Sequence, residues 1–311
     1  MPIRLDTQAA AGVFLENELR QILPKVYEKL YPEYPYSRIL PISNVVSEGA
    51  ETYKYDLYDR VGEFELIADG ADDLPTSDVK RGEVINTIRQ YGGAFRYTTD
   101  EIRKAAFAKV SLEQRRANAV RAAYEERANR VALFGQAGTG LKGFFNHPAV
   151  DKLVITGSSS DGWFDAASIT GDQMVAILNE AITYQGTLSK MIEKPDTLLV
   201  PYSVYRKITT TRITSTVSDT TVLEFFLKTN GIITQVEPIN ELDPANSNGA
   251  LAAQRMVAYK RSAEKLEFHI AMPLTFLPPQ AVNLAFKVPA EAKFAGVALY
   301  YPKSVTYIDK G

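Results

Sequence analysis

The sequence predicts an α+β protein, and three stretches of the chain lead to this fold class. A long helical pattern covers residues 112–134, and helices alternate with short strands from about 165 to 260. One of these strands is a short buried run at 196–200, after Pro195, and the last fifty or so residues contain mainly strand-like runs, including separate ones at 283–289 and 296–302. Alternating helices and strands indicate a compact α/β unit, and strands gathered outside such a unit make the whole chain α+β.

Composition excludes several classes of function. The chain has 311 residues, which predicts about two domains at roughly 150 residues each. Its 45% hydrophobic content and formal charge of −2 favour a globular protein over a disordered or broadly basic, nucleic-acid-binding one. No cysteine and only two histidines are present, so we expect no disulfide, no thiol chemistry, no metal centre and no cofactor. No apolar run approaches the ~18 residues that cross a membrane, and the N-terminus does not resemble a signal peptide.

The N-terminal part predicts a helix of about 20 residues that Pro24 ends or bends. The following stretch, 26–43, is rich in proline and tyrosine. Because prolines disfavour helix, we expect extended backbone here. Tyrosines on an extended arm need a surface to lie on, either in the same chain or in a neighbour; the candidates are Tyr31, Tyr34 and Tyr36.

Two strand-like runs, at 51–59 and 82–99, predict a two-stranded ribbon. Both runs are polar on much of both faces, which suits a ribbon that stands away from a core. The loop between them has no basic residue from position 61 to 79. Its acidic residues include Glu63, Glu65, Asp69, Asp72 and Asp73, and its apolar residues include Phe64, Leu66 and Ile67. Such a loop is either disordered or docked on another surface.

Three capping boxes predict the starts of helices: Thr98 with Glu101, Ser111 with Gln114, and Thr170 with Gln173. The second helix would run for roughly 35 Å and end before Gly135. Three arginines fall close together at the edge of its apolar stripe, and they are Arg116, Arg127 and Arg130. A solvated helix face is the commoner explanation for such a group.

The candidate catalytic motifs are weak. Residues 138–143 match G-x-G-x-x-G, but a helix precedes them where a dinucleotide site requires a strand. Gly143 also stands where a phosphate-binding P-loop has serine or threonine. His147 and His269 have no second ligand at metal-binding spacing, so structural roles are expected for both.

Three segments resemble the major capsid protein of tailed bacteriophages, the Hong Kong 97 phage type, a fold shared with encapsulins. They are GTGLKGFFNHPAV at 138–150, PDTLLVPYSVYRKI at 195–208 and VPAEAKFAGVALYYPKSVTYID at 288–309. The order of parts is also similar: an arm, a long two-stranded loop, a long helix, a glycine-rich turn, an α/β domain and closing strands.

The resemblance implies an N-terminal arm at 1–45, an extended loop at 46–97, a peripheral domain at 98–160 and 261–311, and an axial domain at 161–260. It implies a structural subunit, not an enzyme, that assembles into the hexamers and pentamers of an icosahedral virion. Such a shell encloses double-stranded DNA without sequence-specific binding and is assembled in the cytoplasm of a bacterial host. Portal, scaffold and decoration proteins are the further partners it implies, and we expect any scaffold to be a separate protein.

Within this family, the extended loop lies over a neighbouring copy. We therefore expect the loop acids to face Arg116, Arg127 and Arg130 of an adjacent copy, where exposed ion pairs would set register more than strength. Most of the adhesion would come from Phe64, Leu66, Ile67 and the tyrosines of the arm. Lys80 lies near the loop, but nothing marks it as a cross-linking lysine.

Two alternatives remain open at this point. An encapsulin-like compartment shell would have the same fold and would contain a cargo protein in place of DNA. A soluble nucleotide-dependent α/β enzyme would use the glycine run and would form a small oligomer.

Overall fold

A computed structural model describes residues 34–64, 66, 76–108, 112–155, 163–164, 169–213 and 220–311. The predicted N-terminal helix, Tyr31, Ser111 and most of the acidic loop lie outside these ranges. Among the described helices, none combines the length and the apolar composition of a membrane-crossing segment.

The first described element corrects the expected extended backbone. Residues Tyr36–Ile39 form a one-turn helix, α1, which is followed by the short strand β1 (Ile42–Ser43). The carbonyl of Pro35 accepts the N–H groups of Arg38 and Ile39, both at 3.0 Å. Proline is compatible with the start of a helix, because the N–H it lacks would have no helical partner there.

The ribbon consists of β2 (Thr52–Val61) and β3 (Asp78–Thr87), paired antiparallel. The single strand expected over 82–99 is in fact two strands, because the chain turns inward at the buried Ile88. After Ile88, strand β4 (Arg89–Thr98) leaves the ribbon and pairs with a strand near the C-terminus. The ribbon is therefore shorter than the range 46–97.

Helix α2 (Thr99–Ala108) begins at the predicted capping box. The N–H of Glu101 donates to Thr98 Oγ1 at 3.2 Å, and the N–H of Thr98 donates to Glu101 Oε2 at 3.0 Å. The spine helix α3 (Leu112–Phe134) ends at Gly135, as predicted, and Gly135 has a φ of +66°. That left-handed conformation is one that glycine adopts without a Cβ clash.

The α/β unit has the helices and strands that the sequence predicts, with small shifts in their ends. Helix α4 begins at the predicted capping box of Thr170 and Gln173, which is present in full. The elements of this unit are α4 (Gly171–Leu188), β8 (Thr197–Pro201), α5 (Tyr202–Thr210), α6 (Val222–Thr229), β9 (Gln235–Ile239) and β10 (Arg255–Tyr259). Three short strands that the sequence did not predict precede it: β5 (Gly135–Gln136) and β6 (Leu141–Lys142), which pair as a hairpin, and β7 (Asp151–Ile155).

The C-terminal strands differ from the sequence prediction in one respect. The runs at 283–289 and 296–302, expected as separate strands, belong to one long strand, β13 (Ala285–Leu299). The residues between them continue the alternation of buried and half-buried side chains. The other strands here are β11 (Leu266–Phe276), β12 (Gln280–Val282) and β14 (Val305–Lys310).

One five-stranded sheet has the order β7-β14-β10-β8-β9 and is buried on both faces. Leu198 and Val200 face a core formed with α4, α5 and α6, whereas Leu199 between them faces a second core. Adjacent residues point to opposite faces because side chains alternate along a strand. β7 and β14, expected in the peripheral domain, are therefore part of the sheet of the α/β unit.

The second sheet has the order β1-β11-β13-β12, and β4 also pairs with β13. The C-terminal half of α3 contributes Ala128, Val131 and Leu133 to the core between the two sheets. Its N-terminal half lies beside β4 and β13, and an open groove runs along the surface between them.

Candidate functional site: the assembly surfaces

The outer part of the ribbon is exposed on both faces, from Asp56 to Val61 and from Asp78 to Glu83. Ion pairs lie on one face, where Arg81 contacts Asp56 of the opposite strand at 2.8 Å and Glu83 of its own strand at 3.2 Å. Leu57, Tyr58 and Val79 are large apolar side chains that remain exposed. Lys80 is opposite Asp59 in the strand register.

The base of the ribbon is held against the second sheet by aromatic contacts. The ring of Tyr53 packs edge-on against His269, and the ring of Tyr55 packs edge-on against Tyr300, each with centroids 5.0 Å apart. The hydroxyl of Tyr55 also donates to the carbonyl of Leu299 at 3.1 Å. The alternation in the sequence predicted the strand but not this contact surface, whose two sides are more than 200 residues apart.

A short polar chain lies behind these aromatic rings. Tyr300 donates its hydroxyl to Glu267 at 3.0 Å, and His269 Nε2 lies 3.1 Å from the same hydroxyl. Burial lowers the pKa of His269, and the charge of Glu267 acts in the opposite direction. His269 is thus a structural residue beneath the ribbon, as the sequence predicts.

The end of the ribbon presents two large apolar side chains that no described part of the chain covers. Phe64 and Leu66 are fully exposed. Glu63 precedes them and is also exposed. The other loop residues predicted to make contacts, Glu65, Ile67, Asp69, Asp72 and Asp73, lie outside the described residues.

The expectation for Arg116 needs correction. Its guanidinium donates to both carboxylate oxygens of Glu101 in the same chain, at 3.0 and 3.1 Å. It also donates to the backbone carbonyl of Arg96. The pKa of Glu101 falls to about 2, first because of the Arg116 hydrogen bond and then because of the backbone bond from Thr98. Arg116 therefore joins α3 to the start of α2.

Arg127 and Arg130 are exposed on the spine helix. The guanidinium of Arg127 lies 5.9 Å from the ring centroid of Tyr91, on β4. This distance is typical of a cation–π contact, which leaves the charged group open to solvent and to a partner. Of the three predicted arginines, these two are placed to meet an acidic segment from outside the chain.

The arm tyrosines are placed differently from the prediction. Tyr36 is buried in its own chain, where its hydroxyl donates to Glu125 at 2.7 Å and its ring packs edge-on against Phe268. Tyr34 packs, partly buried, against the same core. Tyr36 is thus a core residue, because the turn of α1 directs it inward.

A groove with a volume of about 480 Å³ runs between α3 and the strands β4 and β13. Alanine and glycine residues, among them Gly92 and Gly93 of β4, line it together with the aromatic rings of Tyr91, Phe95, Tyr124 and Phe294. Its charged lining residues are Arg116, Arg127 and Glu291. No sequence pattern predicted this groove; the only local signal was the glycine pair within a strand, which indicates a close approach or an open surface.

The glycine run does not have the geometry of a nucleotide site. Residues 138–143 lie in the hairpin of β5 and β6, with Gly138 and Gly140 at positive φ. A dinucleotide site would require a strand before the glycines and a helix N-terminus after them. Instead, the following residues return to the end of α3, where Phe144 N–H and Phe145 N–H donate to Ala132 and Leu133.

His147 lies just beyond this hairpin and is buried. The ring Nδ1 of His147 accepts the backbone N–H of Ala149 at 3.2 Å, and the backbone N–H of His147 donates to the hydroxyl of Tyr307 at 2.9 Å. Burial lowers the pKa of His147 to about 4. No cluster of three or more candidate metal ligands occurs in the ranges that the structure describes.

Comparison with known proteins agrees with this arrangement. A sequence model of the major capsid protein family matches residues 62–310. No curated protein sequence matches the chain.

The fold is similar to that of several solved shells. The capsid of Myoviridae phage XM1 has a TM-score of 0.78 at 13% identity, with 95% of this chain and 98% of that chain covered. The capsid of a native GTA particle has a TM-score of 0.66 at 9% identity, with 99% of each chain covered. A virus-like particle from Pyrococcus furiosus has a lower TM-score, 0.51, at 11% identity, with 88% and 91% covered.

The family match extends over most of the chain, and the fold is similar to that of the solved phage shells over nearly its whole length. The exposed ribbon and the open groove also suit a protein that contacts other copies. The chain belongs to the major capsid protein family, has the Hong Kong 97 phage-type fold and is a structural subunit of a capsid.

Proposed function

We propose that the chain builds an icosahedral shell of hexamers and pentamers around double-stranded DNA, and that it is assembled in the cytoplasm of a bacterial host. Portal, scaffold and decoration proteins are the additional partners in this proposal. The observation that carries it is the ribbon of β2 and β3, whose outer part is exposed on both faces and ends in the uncovered Phe64 and Leu66.

The ribbon supports self-assembly for an energetic reason. A two-stranded hairpin is only marginally stable by itself in water. Exposed apolar side chains on it cost free energy unless another surface covers them. A ribbon that lies on a neighbouring copy resolves both problems, and repetition of that contact around a ring produces a capsomer.

The domain roles follow the same proposal. The sheet of β7 to β10 and β14, with α4, α5 and α6, forms the axial domain near the centre of a capsomer. The spine helix and the second sheet form the peripheral domain, and the arm between copies consists of the residues that precede α1. These roles rest on the resemblance to phage capsid proteins together with the observed division into two sheets.

Sedimentation of the purified protein, combined with negative-stain imaging, tests this function. We expect particles tens of nanometres across, or free hexamers and pentamers, and nuclease-protected DNA in particles isolated from an infected host. A monomer or dimer at all salt and protein concentrations would contradict the proposal. Particles that contain a cargo protein and no DNA would instead favour a compartment shell, and stabilisation by nucleotides would favour an enzyme.

A further inference from the structure

We infer that the groove between α3 and the strands β4 and β13 of one copy receives Phe64 and Leu66 of a second copy. This inference rests on the proposed shell function and assigns a partner to each of two uncovered surfaces. The ribbon end has large apolar side chains without a cover among the described residues, and the groove between the described elements has an apolar lining and is open.

The groove is open where alanine and glycine residues line it, and aromatic rings such as Tyr91 and Phe294 form the rest of its apolar wall. Ala119 and Ala123 of α3, Gly93 of β4 and Ala290 of β13 all line it. A Cβ atom at Gly93 would lie 3.5 Å from Val120 Cγ1, which shows how closely the helix approaches the strand at this point. Larger residues at these positions would fill the space. The groove can thus accept an aromatic or branched side chain from outside the chain.

Charge favours a second copy as the occupant. The segment 61–79 contains six acidic residues and no basic residue, and Glu63 directly precedes Phe64. The groove carries Arg127, which is exposed at its edge. Glu291, the acidic residue of the lining, already accepts a hydrogen bond from Gln90 at 2.7 Å. The acidic, apolar ribbon end therefore matches the groove in charge as well as in polarity.

Size complementation tests the pairing. Ala123→Phe fills the groove from an exposed helix position. We expect Ala123→Phe and Phe64→Ala each to lower the assembly constant about tenfold or more, because each prevents burial of one large apolar side chain. The double variant Phe64→Ala/Ala123→Phe should recover at least part of the loss, since the new ring occupies the space that the old one leaves.

Asn118 offers the matched control position on the same helix. It is exposed, it does not line the groove, and it lies five residues before Ala123. At about 100° per residue, that spacing places the two side chains about 140° apart around the axis of α3. Asn118→Phe therefore adds the same aromatic ring outside the groove, and this variant should assemble like the unaltered chain.

Cross-linking tests proximity directly, because the chain has no cysteine of its own. Glu63→Cys combined with Ala119→Cys should give a ladder of disulfide-linked copies after copper–phenanthroline oxidation of assembled particles. Glu63→Cys combined with Asn118→Cys should give none. Circular dichroism of each unassembled variant establishes that it is folded.

The outcomes separate this inference from the proposed function. If the unaltered chain forms no particles, the shell function is wrong. If it forms particles but the groove and ribbon variants assemble unchanged, or no ladder forms, the pairing is wrong and the shell function stands. If Ala123→Phe impairs assembly but the rescue and the ladder both fail, the pairing is also wrong, and the groove holds another occupant, such as the N-terminal arm or a different protein.

Discussion

Arg116 on the spine helix holds both carboxylate oxygens of Glu101, the residue that completes the capping box of the preceding helix. The two residues are only 15 positions apart, yet they fasten two separate helices together. Arg116, which the sequence predicted to contact an adjacent copy, thus stabilises the fold of its own chain. Of the three arginines in the predicted group, Arg127 and Arg130 therefore remain available to contact a neighbouring copy.

The pKa of Glu101 should be far below that of a free glutamate side chain. Its pKa is lowered to about 2 from 4.5, so the folded state favours the charged form. The stability that this gives is present above pH 4.5 and is lost as pH falls towards 2. Carboxyl-resolved NMR of the unassembled protein should show the low pKa, and Arg116→Lys should raise it by removing the two-point contact. An unchanged pKa in that variant would contradict the role of Arg116.

His147 should make the chain less stable in mild acid. Its pKa falls to about 4 from 6.5 because of burial, so between these values the unfolded chain binds a proton that the folded chain does not. The free energy of unfolding should drop by about 3 kcal/mol as the pH falls through this window. His147→Asn keeps an acceptor for the Ala149 N–H but does not titrate.

Urea unfolding of the unassembled chain at several pH values measures this effect. The decrease in unfolding free energy between pH 6.5 and pH 4 should be clearly smaller in His147→Asn than in the unaltered chain. Part of this decrease should remain in the variant, because burial also lowers the pKa of His269. An equal decrease in unfolding free energy in the two proteins would show that His147 does not cause the loss of stability in acid.

Arg255 and Asp309 form a buried ion pair, and breaking it should be costly. Arg255 Nε and a second guanidinium nitrogen reach the two carboxylate oxygens at 2.5 and 2.6 Å, and the guanidinium lies 4.4 Å from the ring centroid of Tyr307. Asp309→Asn leaves a buried charge without its counterion, so we expect a loss of about 3–5 kcal/mol in unfolding free energy. The exposed Lys54 and Glu83 pair is the comparison, and Lys54→Ala should change stability little. Urea unfolding of both variants measures the difference, and equal losses would contradict the importance of burial.

Two glycines of the same loop should respond very differently to substitution. A Cβ at Gly143 would lie 2.2 Å from the Phe134 carbonyl carbon, whereas a Cβ at Gly138 would meet nothing within 4 Å. Gly138→Ala should cost about 1 kcal/mol because its backbone is in the left-handed region. Gly143→Ala must displace backbone at the end of α3, so thermal unfolding should occur at a much lower temperature. Similar melting temperatures for the two variants would contradict the packing of this turn.

Reversing loop charges should impair assembly without unfolding the chain. We expect the triple variant Glu63→Lys/Asp69→Lys/Asp72→Lys to assemble poorly at low salt, because its ribbon would then repel Arg127 and Arg130 of a neighbour. Salt should partly restore assembly through screening. The variant Asp151→Lys/Glu180→Lys/Glu264→Lys has the same change in net charge at exposed sites elsewhere. Light scattering measures the assembly of the two triple variants at several salt concentrations. Equal dependence of their assembly on salt would rule out the charge pairing.

The sequence alone determined those features that depend on residues a few positions apart. The capping boxes at Thr98 and Thr170, the glycine that ends the spine helix and the buried strand after Pro195 are all confirmed. The order of these elements was also sufficient to indicate the capsid fold. Each of these signals depends on local hydrogen bonding or on the period of the apolar residues.

Only the tertiary structure decided which strands pair and which surfaces meet. It moved β4 from the ribbon to β13, placed β14 inside the α/β sheet and turned Tyr36 into the core. It also created the groove, whose walls come from α3, β4 and β13. Alternation along a strand shows that a residue faces one side or the other, but the partner strand can lie about 200 residues away, as β13 does from β4. Hydrogen bonds and packing between such distant segments determine the result, and no local pattern contains that information.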